Sequence, residues 1–155
     1  MPVASERVPD LSGLHAAFRP RRARRVAYPL AAGALVTMVA VAVVAPGGFG
    51  VVDRLGFVVV GVAIAWFLHR QASVRAVPTE SGLVVRNLFL GRTLEWAEIV
   101  DVRFGGGRPW VQLDLSDGDT LAVMAVQRAD GDLAESEARR LATLVALHSR
   151  TERDD

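Results

Sequence analysis

The 155-residue sequence contains no cysteine and no lysine; all eighteen of its basic residues are arginine. Without cysteine there is no disulfide scaffold, no thiolate-ligated zinc or iron–sulfur centre and no thiol nucleophile. Without lysine there is no lysine Schiff base and no phosphate-gripping lysine of the P-loop type. Aromatic residues are sparse at 6%, and charged residues make up only 23% against 51% hydrophobic, with a mean hydropathy of +0.28. That balance is high for a domain living wholly in water. The formal net charge of +1 conceals two unlike halves. Residues 1–75 hold nine arginines against Glu6, Asp10 and Asp53, whereas residues 76–155 hold nine arginines against fourteen acids.

Residues 26–45, VAYPLAAGALVTMVAVAVVA, carry no charge. As a helix they would run about 30 Å, the thickness of a hydrocarbon core. Pro29 falls in the first turn, where its missing N–H is tolerated, and Pro46, Gly47 and Gly48 stop the run. A second uncharged run, 55–68, would span only about 21 Å as a helix. Phe49, Val51 and Val52 extend it backwards, and Asp53 with Arg54 would lie near an interface, where a charge costs far less than at mid-membrane. The expected spans are therefore about 26–45 and 50–68, joined as an antiparallel hairpin. The basic start, apolar stretch and Ala45 imitate a signal peptide, but the stretch is too long and a second follows, so a retained span is expected.

Arg19, Arg21, Arg22, Arg24 and Arg25 precede the first span, Arg70 and Arg75 follow the second, and the turn holds only Arg54 beside Asp53. By the positive-inside rule both ends are cytoplasmic, giving a multi-pass protein of the inner (plasma) membrane. Arg21, Arg22, Arg24, Arg25 and Arg70 then set topology and attract anionic lipid, while Tyr28 and Trp66 form an aromatic belt at the inner interface. A run such as RRARR at 21–25 also suits nucleic acid, but directly before a span it reads as a membrane anchor, and no nucleic-acid partner is expected.

Beyond Ser73 the hydrophobic period changes to two, marking an all-β unit. Expected strands are 74–77, 83–87, 93–96, 99–104, a fifth in which Val111, Leu113 and Leu115 face the core, and 121–126. Gly105, Gly106, Gly107 and Pro109 break the fourth strand from the fifth. Asp117-Gly118 signals a hairpin turn of type I′; Asp114, Asp117 and Asp119 lack the ladder of a calcium loop. A terminal helix is expected with Asp132 as N-cap and Glu135 three residues on. Its apolar face would comprise Ala134, Ala138, Leu141, Val145 and His148, supported by a Glu135–Arg139 pair. The chain thus divides into an Arg-rich cytoplasmic arm at 1–25, a two-helix transmembrane hairpin at 26–72, a domain at 73–150 and a tail at 151–155. Within the arm, residues 1–17 are left open between disorder and a short surface helix.

Two segments, FRPRRAR at 18–24 and VPTESGLVVRNLFLGRTLEWAEIVDVRF at 77–104 with its Trp96-Ala97-Glu98-Ile99 step, carry a family likeness. The chain resembles the actinobacterial membrane-anchored bacterial PH domain proteins, related to the low molecular weight protein antigen six group. The resemblance implies an α+β PH-like domain after the hairpin: an antiparallel β barrel or sandwich capped by one C-terminal helix, used elsewhere to bind lipid, peptide or protein. Phosphoinositide-binding PH domains grip headgroups with basic residues around the first strand-to-strand turn. Here that turn, Pro78-Thr79-Glu80-Ser81-Gly82, is acidic, so headgroup binding by that route is not expected.

Convergent catalytic groups are scarce. His15, His69 and His148 have no metal-ligand spacing between any two; Gly105, Gly106 and Gly107 lack a following GK[ST]; Glu95 and Glu98 flank a core Trp96. No catalytic residue, cofactor or metal is expected. Arginines interleaved with aromatics are a better lead, because both are enriched at protein-binding hot spots. Phe89, Arg92, Arg103, Arg108 and Trp110 are the candidate contacts for an unidentified protein partner. The expectation is a non-catalytic scaffold presenting an interaction domain at the cytoplasmic face. The alternative is an accessory subunit of a transporter or envelope-synthesis complex, packing through its hairpin, where Gly33, Gly56 and Gly61 offer close approach.

Overall fold

Pro46, Gly47 and Gly48 split the apolar half into two helices, α1 (Arg21–Val44) and α2 (Val51–Ala72), in a computed structural model that describes residues 13–151. Residues 1–12 of the arm and 152–155 of the tail lie outside the described residues. Both helices outrun their uncharged stretches. α1 begins at Arg21, so the arginines of 21–25 form its first turns, and α2 continues through His69 and Arg70. The apolar run marks what can lie in hydrocarbon, while helical hydrogen bonding continues for as long as the residues permit it.

The charged pair Asp53 and Arg54, which falls in the first turn of α2 rather than in the connecting turn, is structural. The backbone N–H of Gly50 donates to the Asp53 carboxylate at 2.9 Å, satisfying an orphan amide at the start of α2. Arg54 donates through Nη1 to the carbonyls of Ala42 (2.8 Å) and Val43 (3.2 Å) and through Nη2 to that of Ala45 (2.8 Å). It thereby caps the C-terminus of α1, where carbonyls have no partner within the helix. Gly61 lets the helices close: a Cβ there would lie 2.8 Å from Met38 Cβ.

Six strands follow: β1 (Arg75–Pro78), β2 (Gly82–Arg86), β3 (Gly91–Glu95), β4 (Ile99–Arg103), β5 (Trp110–Leu115) and β6 (Thr120–Gln127). They form two antiparallel three-stranded sheets, β1-β2-β3 and β4-β5-β6. Alternation sends Leu83, Val85 and Leu94 of one sheet and Val111, Leu113 and Val123 of the other into a shared core. A short 3₁₀ turn, Trp96–Glu98, joins the sheets and buries Trp96, while the Glu98 carboxylate accepts from the Glu95 N–H at 2.7 Å. Asn87 clasps them again: its Nδ2 donates to Ala122 O at 2.7 Å, and its Oδ1 accepts from Met124 N at 3.1 Å. Gly82 is required by close approach, since a Cβ there would stand 1.9 Å from the Leu94 carbonyl oxygen.

The β5–β6 hairpin forms where Asp117-Gly118 signals it, but its turn is not type I′, because Asp117 keeps negative φ and only Gly118, at φ 88°, is left-handed. Leu115 pairs with Asp119, and Gly118 N donates to Leu115 O at 3.0 Å. The result is a three-residue loop with a left-handed glycine, which needs positive φ at one position rather than two.

The last helix, α3 (Asp132–Thr151), buries Ala134, Ala138, Leu141, Leu144 and Val145 against the core. Asp132 is its first helical residue rather than its N-cap. Gly131 precedes it and accepts at its carbonyl from Ala134 N (2.8 Å) and Glu135 N (3.4 Å). Glu135 and Arg139 pair at 3.7 Å as their spacing predicts.

The junction between hairpin and domain as candidate functional site

Three links tie the apolar hairpin to the β domain. Phe18, three residues before α1, is fully buried in the domain core. It pairs with Ala76 of β1 like an extra strand residue, through Phe18 N to Ala76 O at 2.8 Å and Ala76 N to Phe18 O at 3.1 Å. Arg140 of α3 covers this segment from outside, donating through Nη1 to the carbonyls of Gly13 (2.9 Å), Leu14 (3.0 Å) and Ala16 (2.8 Å) and through Nη2 to Glu137 at 2.5 Å.

The second link is a helix cap supplied from far along the chain. α1 has no acid in its first turn and begins with several arginines, a poor match to the positive end of its dipole. Asp130, just before α3, compensates by accepting from Arg21 N (3.1 Å) and Arg22 N (2.8 Å). The third link is at the other helix: Arg70 Nη2 donates to Leu88 O at 2.6 Å in the β2–β3 turn. Because β2 runs antiparallel to β1, with Arg86 opposite Arg75, residues 87–90 project past the start of β1 and back alongside the end of α2. The exposed Phe89 and Leu90 are carried at that tip.

Among the expected topology residues, Tyr28 stands with its ring 6.1 Å from that of His69, and exposed Trp66 lies one turn before Arg70 on α2. Arg21, Arg24 and Arg25 border an open cavity of about 530 Å³ between α1 and α3 that also contains Glu137 and Arg140. Arg22 lies in the same first turn of α1. A smaller cavity, of about 170 Å³, gathers Arg19, Arg24, Tyr28, Ser73, Arg75 and Arg86. Arg86 was not read as a site residue from the sequence, and Arg75 counted only toward orientation. The signal was available, since a hairpin turning about residues 80–81 sets 75 opposite 86.

The five candidate partner contacts do not form one cluster. Phe89 lies in the β2–β3 turn and Arg92 in β3 of the first sheet; Arg103, Arg108 and Trp110 belong to the second sheet and its glycine-rich β4–β5 connection. The three arginines are engaged within the domain: Arg92 with Asp117 at 3.1 Å, Arg103 with Asp114, and Arg108 Nε with Gln112 Oε1 at 2.9 Å. Trp110 is half-buried at the start of β5, on the face opposite Val111 and Leu113. The histidines are not all separate in space. His148 stacks on Trp96 with centroids 4.5 Å apart, and His15 meets His148 edge-on at 6.0 Å. His148 Nδ1 lies 2.8 Å from Leu144 O, so that nitrogen carries the proton and the ring is held as a packing element.

The bacterial PH domain family matches residues 73–143. The chain is also similar to the uncharacterized proteins Mb1452 of Mycobacterium bovis and Rv1417 of Mycobacterium tuberculosis, each 34% identical over 130 residues covering 77% of this chain and 84% of the relative. The chain belongs to the bacterial PH domain family. No solved structure matches it. The order of two three-stranded antiparallel sheets and a C-terminal helix is the PH-like arrangement that the sequence resemblance implies. In this bacterial PH domain protein the core reaches outside the matched segment, because Phe18 lies well before residue 73. The acidic β1–β2 turn is occupied internally: Thr79 O accepts from Trp96 Nε1 at 3.1 Å, and Thr79 Oγ1 accepts from Gly82 N at 3.1 Å.

Proposed function

We propose that this protein is a non-catalytic, membrane-anchored interaction module. Its two helices cross the inner membrane as a hairpin, both ends are cytoplasmic, and the PH-like domain is presented at the inner surface to a protein partner. The observation that carries this reading is the outward-facing greasiness of the hairpin. Only 11% and 6% of the most apolar stretches of α1 and α2 is buried within protein, while Val36, Val43, Val44, Val59, Val60 and Val62 are exposed. A core helix of a soluble protein would hide such a surface, and contiguous exposed apolar area of this extent requires lipid or a partner to cover it. The arginine asymmetry supports the orientation. Tethering raises the effective concentration of the domain for anything else at the membrane, so a weak interface suffices.

The alternative, an accessory subunit packing through its hairpin, draws support from Gly33 and Gly56, each with open space where a Cβ would be. Gly61, by contrast, is consumed inside the hairpin. Spheroplasts carrying single cysteines at Ser5, Gly48 and Ser149 test the anchoring: an impermeant maleimide should label only position 48. Labelling at positions 5 or 149, or release of the chain by alkaline carbonate without detergent, rejects the membrane reading. Replacing the hairpin with an unrelated one separates the two functions, since partner capture retained favours the domain and capture lost favours the helices.

A further inference from the structure

We propose that the cleft formed by Arg19, Arg24, Tyr28, Arg75 and Arg86 binds the phosphate of an anionic phospholipid of the inner leaflet. This rests on the membrane reading above and adds a defined site to it.

The starting point is an unbalanced pair. Arg75 of β1 and Arg86 of β2 are directly opposite in the antiparallel register, and both are exposed on the same face of the sheet. Directly opposed like charges destabilise a strand pair. A third and a fourth guanidinium are added from the N-terminal segment and α1, since Arg19 and Arg24 line the same cavity. Among the described residues none of these four has a carboxylate partner: the ion pairs there are made by Arg92, Arg103, Arg139 and Arg140. Four unpaired cations from three separate parts of the fold therefore surround one space of about 170 Å³, with Tyr28 and Ser73 on its wall. The larger cavity beside α3 differs because Glu137, paired with Arg140, lies in it.

An anion would turn this repulsion into attraction. Guanidinium groups present forked donors that match the oxygens of a phosphate. The position favours lipid over a soluble anion. Ser73 immediately follows α2, and Arg24 and Tyr28 lie in the first turns of α1, so the cleft opens where both helices leave the apolar zone, at the depth of headgroup phosphates. This is also the opposite end of the β1–β2 hairpin from its acidic turn, which lies beyond Pro78.

The test uses the full-length chain in nanodiscs of phosphatidylcholine, with phosphatidylglycerol added in steps, reading the thermal midpoint and the lipids retained in native mass spectrometry. Wild type should gain several degrees with phosphatidylglycerol, and R86Q and R75Q should each weaken its retention about 10-fold. The variants should also reverse sign with lipid: in pure phosphatidylcholine each should be as stable as wild type or more so, because a like-charge contact is relieved, and in phosphatidylglycerol less so. A charge-matched control outside the cleft, R128Q, should keep the lipid-dependent gain. If R128Q loses as much as R86Q, the effect is diffuse charge and the site is rejected. If inorganic phosphate in phosphatidylcholine discs reproduces the gain, the ligand is a soluble anion and the lipid assignment is overturned. Equal midpoints in both lipids for correctly embedded wild type also overturn it while leaving the anchoring intact, whereas a chain that stays soluble without lipid or detergent overturns the anchoring itself.

Discussion

The guanidinium carbon of Arg140 lies 3.8 Å from the centre of the Phe18 ring, closing α3 over a residue that precedes the whole apolar hairpin. The two are separated in sequence by both apolar helices and all six strands, yet Phe18 is fully buried and Arg140 secures the backbone around it. The domain is therefore assembled from both sides of the hairpin, and its ends are held close to each other.

From this it follows that Phe18→Ala should destabilise the domain by about 3–5 kcal/mol, the range for emptying a buried aromatic site. Urea denaturation followed by Trp fluorescence, in detergent, measures it. A fragment beginning at residue 73 lacks Phe18 and should be aggregation-prone or partly unfolded, while fusing residues 13–20 to its start through a flexible linker should restore a cooperative transition. Equal stability of the two fragments would count against Phe18 as a core residue.

Asp130 should be worth about 0.5–2 kcal/mol as a cap on α1. Asp130→Ala should speed hydrogen exchange at the Arg21 and Arg22 amides, which donate to its carboxylate. Asp130→Asn, which keeps an acceptor oxygen, should lose less. An unchanged exchange rate in the Ala variant would show that the long-range cap contributes nothing.

Acid should weaken the β5–β6 turn through Asp117. The backbone N–H of Asp119 and then the Arg92 side chain hold its carboxyl below the ordinary value of 3.8. A group with a lowered folded-state pKa stabilises the fold above its unfolded value and loses that contribution as pH falls through the lowered one. Asp117→Asn should therefore be less stable than wild type at neutral pH, with the difference shrinking below about pH 4 as the wild-type carboxyl protonates. Because the side chain is exposed, 1 M salt should shrink the Arg92 contribution also at pH 7. A gap that stays constant from pH 7 to pH 2 would contradict this.

Val59, near the middle of α2 and 65% exposed, distinguishes lipid from water as its surroundings. Val59→Arg should cost about 2.5–3.5 kcal/mol at the centre of a spanning helix and lower the inserted fraction. In water the same change at an exposed position should be nearly neutral. Glycosylation-tag insertion assays read the inserted fraction, and full insertion of the variant would argue against a span.

Much of this architecture is local and so was legible along the chain. The uncharged run at 26–45 and the Pro46-Gly47-Gly48 stop foretell the hairpin, and period-two alternation foretells that Val111, Leu113 and Leu115 enter the core. The turn at Asp117-Gly118 was visible as a turn, but its type was not. Two-residue and three-residue loops use the same residues, and the pairing of Leu115 with Asp119 decides between them. Trp96 was recognisable as core, whereas its stacking on His148 was not, since the two meet only when α3 packs across the domain.

The order of elements and the apolar hairpin are inherent in the sequence because hydrophobic period and charge placement are properties of neighbouring residues, and the PH-like class came from the family resemblance carried by residues 18–24 and 77–104. The burial of Phe18, the capping by Asp130 and the convergence of Arg19 and Arg24 on the Arg75–Arg86 pair belong to the tertiary structure alone. They depend on which surfaces meet after the hairpin folds back, and linear spacing carries no record of a contact made across more than a hundred residues or of four like charges brought around one cleft.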